Sequence, residues 1–210
     1  MTVIEPTFEA ERALLAQGAR VVIGVDEVGR GALAGPVAVG AVAVRTGRTD
    51  PPAGLRDSKL LSPRRREGLR EPLIAWSDAH AVGYSSPHLI DTEGIIPALG
   101  RAAAAAVQAL GVDAADLAGS VLLLDGVFDY ITEFLPGLDV RCRAKADRDC
   151  AVVAAASVLA KLERDQLMCE LGEQFPAYGF AQNKGYGSAA HRAAIRQFGP
   201  ASCHRLTWIH

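Results

Sequence analysis

Apolar residues fall along this chain in short blocks that switch between two periods. Val21–Val25 is a β-branched run broken only by Gly24, and Val37–Val44 is apolar at nearly every position. Runs of this length, apolar on both faces, predict strands at the centre of a covered sheet. Val121–Leu124 predicts a further short buried strand, and Ala79–Tyr84 and Val140–Ala144 predict two more. Helical spacing takes over between them. Phe8–Leu15 predicts a short leading helix, and Arg64–Trp76 another, opened by Ser62 as N-cap and Pro63 at the first helical position. The alanine-rich stretch Ile95–Leu110 predicts a helix closed by Gly111. From Asp149 to about Leu171, residues Val152, Val153, Ala156, Leu159 and Ala160 recur at helical spacing, and a last helix is expected near Ala189–Gln197. Thr46–Gly54 and the residues after Tyr178 read as loop.

Strands and helices alternate, so the expected class is α/β, a mixed central sheet flanked by helices with a small helical part at the C-terminal end. No repeat or linker divides the 210 residues, which predicts one domain over 1–210, with an N-terminal extension over about 1–20 and a C-terminal segment over about 175–210. Hydrophobic residues make up 50% of the chain and charged ones 22%, which excludes a disordered polymer. The net charge of −2 gives no bulk attraction for a polyanion, so any nucleic-acid contact must rest on local clusters and metal ions. Cys142, Cys150, Cys169 and Cys203 lie far apart without a CxxC pair, which argues against a zinc site or a disulfide framework. The first twenty residues lack a continuous apolar stretch, and no segment is long enough to span a bilayer. A cytoplasmic protein with reduced thiols and no membrane partner is the expectation.

The acids are placed unusually. Asp26 and Glu27 close one apolar strand, Asp125 closes another, and Asp147 precedes the long helix. Carboxylates converging on one sheet edge raise each other's pKa unless a cation joins them, and their hard oxygens suit Mg²⁺ or Mn²⁺. Taken singly, each acid is equally at home as a turn former or an N-cap, and spacing alone does not bring the four together.

Five motifs in order carry more information. The stretch from Gly24 to Gly31, with Asp26-Glu27 and Gly29-Arg30-Gly31 inside it, is followed by Ala34-Gly35-Pro36. Next come Asp57-Ser58-Lys59 with Leu61-Ser62, then Leu124-Asp125-Gly126, then Lys145-Ala146-Asp147 with Ala154–Lys161 and Arg164-Asp165. Phe175-Pro176, Tyr178-Gly179-Phe180, Lys184-Gly185-Tyr186-Gly187 and His204-Arg205 close the set. This series resembles the bacterial type 2 ribonucleases H (ribonuclease HII) over nearly the whole chain, from about Gly24 to His204.

The resemblance implies an RNase H-like fold in which Asp26, Glu27, Asp125 and Asp147 are the catalytic acids and hold two Mg²⁺ or Mn²⁺ ions. It implies an endonuclease that cuts the RNA strand of RNA–DNA hybrids and incises 5′ to single ribonucleotides embedded in duplex DNA, leaving 5′-phosphate and 3′-hydroxyl ends. Gly29, Arg30 and Gly31 are expected to contact the ribose 2′-hydroxyl, the group that distinguishes RNA from DNA. Tyr186 is expected to stack on the adjoining deoxyribose. Lys59, Lys184 and, more weakly, Ser58 are candidate phosphate contacts. Read alone, the GRG triplet is a tight turn, Tyr186 a surface packing residue, each lysine a solvated charge, and Arg64-Arg65-Arg66 a mostly exposed helix face. Small residues at Ala154–Ser157 are expected to let a helix lie close on the sheet, and His204, Arg205 and Trp208 to fold back near the site without an assigned role.

Leu60 stands where the family often has a second lysine, and relatives usually continue past the His-Arg motif. A monomer is expected, with a replication clamp as a conceivable partner. The competing type 3 enzymes carry an extra N-terminal domain, for which about twenty residues are too few, and usually a glutamate as fourth acid where this chain has Asp147. A binding module of the same fold would gain nothing from four acids facing phosphate. Another nuclease of the superfold would not need the GRG and KGYG motifs.

Overall fold

The computed structural model describes residues 5–209. Its strands are β1 (Val21–Val28), β2 (Val37–Val44), β3 (Ala79–Ser85), β4 (Ser120–Asp125) and β5 (Asp139–Arg143). They form one sheet in the order β3-β2-β1-β4-β5. β2 runs antiparallel to β1 and β3, whereas β4 runs parallel to β1 and β5, so the sheet is mixed, as expected. The helices are α1 (Glu9–Ala16), α2 (Pro63–Trp76), α3 (Pro87–Glu93), α4 (Ile95–Ala109), α5 (Ala114–Ala118), α6 (Ala146–Asp149), α7 (Ala151–Gln174), α8 (Phe180–Asn183) and α9 (Ala189–Phe198).

Alternation along β1 explains the two layers. Val22 points to a core shared with α7, with Leu69, Leu73 and Trp76 of α2, and with Phe8 and Leu15 at the N-terminal end. Val21, Ile23 and Val25 point the other way, onto Leu99, Ala102 and Ala106 of α4. Burying a large aliphatic side chain stabilises the fold by about 1.5–3 kcal/mol, so both faces are driven together. α7 is apolar around its whole first half, because it is enclosed between the sheet and α2.

Two glycines let α7 come close. A Cβ on Gly24 would lie 2.4 Å from the Val152 carbonyl carbon, and one on Gly40 would lie 2.4 Å from the Ala156 carbonyl oxygen. The small stripe at Ala154–Ser157 is therefore the helix half of a close helix–sheet contact. The sheet half was not apparent from the sequence.

Three expectations need correcting. β1 does not end at Val25 but continues to Val28, because β2 pairs with it as far as Val28 opposite Ala38, so Asp26 and Glu27 sit inside a strand. The long helix is not continuous with Asp149. Cys150 is extended and bridges Thr7, with the Thr7 amide donating to the Asp149 carbonyl and the Ala151 amide to the Thr7 carbonyl. This N-terminal graft separates α6 from α7, so the described part of the first twenty residues is built into the core. Glu11 completes the graft: its fully buried carboxylate accepts from the Val152 amide at 2.9 Å and caps α7. Finally, Arg66 is no solvated charge. It is buried and donates to the Ser58 and Leu61 carbonyls at 2.9 and 2.6 Å, while Arg64 and Arg65 are exposed.

The C-terminal segment packs as a third cluster, with Tyr178, Phe180, Ala194 and Ile195 closing on Met168 of α7 and on Leu33 and Ala34 of the glycine-rich turn. Within it His191 and His204 face each other, Nε2 to Nε2 at 3.0 Å, both buried. The Tyr186 carbonyl accepts from His191 Nδ1 at 2.9 Å, and His204 Nδ1 accepts from the Ala201 amide at 2.9 Å. Burial lowers both imidazoles below their ordinary pKa, and with both neutral the Tyr186 carbonyl requires His191 Nδ1–H, so His204 Nε2–H donates to His191 Nε2.

Candidate active site

The parallel pairing of β1 with β4 places Val25 opposite Leu124, so the next residues, Asp26 and Asp125, emerge side by side at one end of the sheet. Asp26 has the same facing as Val22 and Gly24, toward α7, whereas Glu27 turns to the α4 face. Asp147 arrives from α6, and its amide reaches Asp125 Oδ1 at 3.5 Å. All four sequence-predicted acids are thus brought to the same end of the sheet.

Their surroundings differ in an informative way. The Glu27 carboxylate is taken by Arg30 Nη1 at 3.2 Å and by the Tyr130 hydroxyl at 3.3 Å. Asp147 has Lys59 Nζ at 3.5 Å. Among the described residues no Lys, Arg or His pairs with Asp26 or Asp125. Asp26 is 3% exposed. Burial pushes its carboxyl up to about 8, a hydrogen bond from Ser157 pulls the other way, and the like charges of Glu27 and Asp125 add to the rise. Asp147 is raised too, by burial and then by Asp125 and Asp57. Burial works against the Lys59 ammonium, but Asp26, Asp57 and Asp147 outweigh it and hold it above its ordinary value.

A hard divalent cation fits this donor set: the side-chain donors are carboxylate oxygens, Asp26 and Asp125 have no cationic partner among the described residues, and the repulsion among the acids favours added positive charge. The side chains are not gathered into a cage, since among the described residues no three acidic, histidine or cysteine groups meet closely enough to hold an ion. Arg30 and Lys59 occupy two of the acids, and Glu27 and Asp147 would have to turn from them to take part.

The raised Asp26 pKa has a measurable consequence. A carboxyl above its ordinary value of 3.8 contributes stability that is complete below that value and lost as pH rises toward about 8. Asp26→Asn cannot ionise. In thermal unfolding of metal-free protein, the variant should therefore gain on the parent from about pH 5 to about pH 8, with the gap levelling above that. A gap that stays constant over this range would contradict the assigned burial of the charge.

Around the acids lie the other predicted residues. Gly29 (φ +81°) turns the chain out of β1, and a Cβ there would lie 2.0 Å from Arg164 Nε. Arg30 and Gly31 are exposed, as is the Tyr186 ring, over which Arg164 sits at 5.7 Å. Lys59 is largely exposed. Ser58 and Lys184 differ from expectation as phosphate contacts. The Ser58 hydroxyl is buried against that of Ser157 at 2.9 Å, and the Lys184 ammonium is turned onto α7, donating to the Asp165 carbonyl at 3.4 Å and to Cys169 Sγ at 2.8 Å.

Sequence reasoning missed Tyr130, whose buried hydroxyl steadies Glu27, and treated Ser157 as packing only, although its hydroxyl links Ser58 to Asp26. It left Arg164 and Arg205 without roles. Both are fully buried beneath the glycine-rich turn.

Acids at the end of a mixed sheet, covered by helices on both faces, are the arrangement expected of a divalent-metal-dependent nuclease of the RNase H-like fold, and the comparisons with known proteins agree. The ribonuclease HII family model matches residues 23–210. The ribonuclease HII of Streptomyces avermitilis is 47% identical over 206 residues, covering 98% of this chain and 84% of that protein. In the complex of PCNA with RNase HII from Archaeoglobus fulgidus, the matched chain is 29% identical with a TM-score of 0.70, covering 90% of this chain and 95% of that one. Bst-RNase HIII, solved in complex with Mn²⁺, shares the fold at 22% identity and a TM-score of 0.63, with 93% of this chain and 69% of that chain covered. The chain belongs to the ribonuclease HII family and is a ribonuclease H, an endonuclease acting on RNA–DNA hybrids. No helix among the described residues is long and apolar enough to cross a membrane.

Proposed function

We propose that this enzyme incises duplex DNA 5′ to an embedded ribonucleotide, as well as cutting the RNA strand of longer hybrids, and leaves 5′-phosphate and 3′-hydroxyl ends. The observation that carries the reading is the pair Asp26 and Asp125, side by side and without a cationic partner among the described residues, with the Gly29–Gly31 turn following Asp26 in the same strand's exit. Two Mg²⁺ or Mn²⁺ ions, held by Asp26, Glu27, Asp125 and Asp147, would supply an activated water and the charge that steadies the departing 3′-oxygen. The chain's own residues do the selecting. Gly29, Arg30 and Gly31 offer backbone at the mouth of the site to a ribose 2′-hydroxyl, and Tyr186, backed by Arg164, offers a ring face to the neighbouring sugar. Lys59, exposed beside Asp147, is positioned for a backbone phosphate. The Mn²⁺ complex of Bst-RNase HIII supports the choice of ion. A monomer working in the cytoplasm completes the reading, and a clamp such as the PCNA of the Archaeoglobus complex is the kind of partner a replication-linked role would add.

Gly31 gives a clean test. Its φ is not positive, and a Cβ added there meets nothing within 4 Å, so neither backbone conformation nor packing requires a glycine. Gly31→Ala should leave the thermal midpoint nearly unchanged, within about 0.5 kcal/mol, yet slow ribonucleotide-dependent cleavage by crowding the substrate. A variant as active as the parent would remove the turn from the ribose-binding role.

A further inference from the structure

Two guanidinium groups lie under the glycine-rich turn with no exposure, and among the described residues neither forms an ion pair. A buried charge without a counter-charge is costly unless its donors are fully used. Here they are used on backbone. Arg205 donates from Nη2 to the Gly29 carbonyl at 2.7 Å, from Nη1 to the Arg30 carbonyl at 2.8 Å, and from Nε and Nη2 to the Gly35 carbonyl at 3.2 and 3.1 Å. Arg164 donates to the carbonyls of Pro36 at 2.9 Å, Lys184 at 3.0 Å and Ala34 at 3.3 Å, so it ties the same turn to the loop that carries Tyr186.

In a trans peptide the N–H points opposite to the C=O. The Gly29 and Arg30 carbonyls are drawn inward by Arg205, so the N–H groups on the far side of those two peptides, belonging to Arg30 and Gly31, face away from the guanidinium. Among the described residues neither N–H donates to any protein acceptor, whereas the next two, Ala32 and Leu33, are spent on the Gly29 and Gly185 carbonyls. A charge-assisted bond to the carbonyl also polarises the peptide and strengthens its N–H as a donor.

We propose that Arg205 is the positioning residue of the ribose-recognition turn: its buried fork fixes the Gly29 and Arg30 carbonyls so that the Arg30 and Gly31 amides stand outward as adjacent, unspent donors to the ribonucleotide. This rests on the ribose-binding reading of Gly29–Gly31 above. Arginine is required because one planar fork spans three carbonyls, which an ammonium does not. Arg205 is fully buried and bonded to none of the four acids, and it acts through the turn.

The test compares Arg205→Lys with the parent in Mg²⁺ at low temperature, after circular dichroism and thermal unfolding establish the folded fraction. Two quantities are read: kcat/KM on a DNA duplex with one ribonucleotide, and the inhibition constant of an all-DNA duplex of the same sequence. The proposal expects kcat/KM per folded enzyme to fall on the order of tenfold to a hundredfold with the all-DNA inhibition constant unchanged. If kcat falls only by the unfolded fraction with KM unmoved, the role is merely structural and the proposal is overturned. If the parent itself shows no cleavage of the single-ribonucleotide duplex, the underlying reading fails and the proposal with it. Amide hydrogen exchange on the unmutated protein gives a second measurement. The Arg30 and Gly31 amides should exchange quickly in the free protein and slow when the ribonucleotide duplex is added, and protection already present in the free protein would also overturn the proposal.

Discussion

Asp26→Asn should cost cleavage on the order of a thousandfold or more while leaving affinity for duplex nearly unchanged. The amide keeps the shape of the carboxyl group but cannot ionise, so it removes the negative oxygen that a bound cation would draw from the most buried of the four acids. Duplex grip should survive, because the proposed reading assigns it to exposed groups such as Lys59 and Arg30, which the substitution leaves in place. Asp125→Asn should behave alike, being the neighbour in the parallel register. Steady-state cleavage beside a gel-shift measurement separates the two quantities. Full cleavage in both variants would place the chemistry elsewhere.

The second large effect is expected at Gly24, which is buried against α7. A methyl group there would lie 2.4 and 2.5 Å from the Val152 carbonyl carbon and the Val153 nitrogen, backbone atoms of α7 that cannot swing aside. Gly24→Ala should therefore push α7 off the sheet and cost about 1–3 kcal/mol. For a chain of this size that is a fall of roughly 3–10 °C in Tm, read by calorimetry. Activity should fall as well, because α7 carries Ser157, which links Asp26 to Ser58. An unchanged Tm would show that the helix–sheet distance is slack and that the geometry of the acids does not depend on it.

Legibility of this fold in its sequence followed the strength of local signals. β2 runs over Val37–Val44 as read, since nearly every position is apolar, and Ser62-Pro63 opens α2 as a cap signal should. Ser86-Pro87 is the same signal at the start of α3 and could have been read in the same way. The break between Asp149 and Ala151 could not, because it is made by Thr7, more than 140 residues away in the chain. The four acids were legible as individuals and through their family resemblance, but their meeting depends on the pairing of β1 with β4, which periodicity does not specify. Charges gave the poorest guide. Arg66, Arg164 and Arg205 are buried on backbone carbonyls, and Lys184 is turned inward, because the irregular loops around the site leave carbonyls that only long cationic side chains can reach.

The most direct measurement is cleavage of end-labelled DNA duplexes carrying one internal ribonucleotide, beside all-DNA and four-ribonucleotide duplexes, in Mg²⁺ and in Mn²⁺. Incision on the 5′ side of the single ribonucleotide, with the all-DNA duplex left whole and no product when the divalent ion is chelated, is the predicted result. Cleavage of the four-ribonucleotide tract alone would contradict the role given to Gly29–Gly31 and Tyr186.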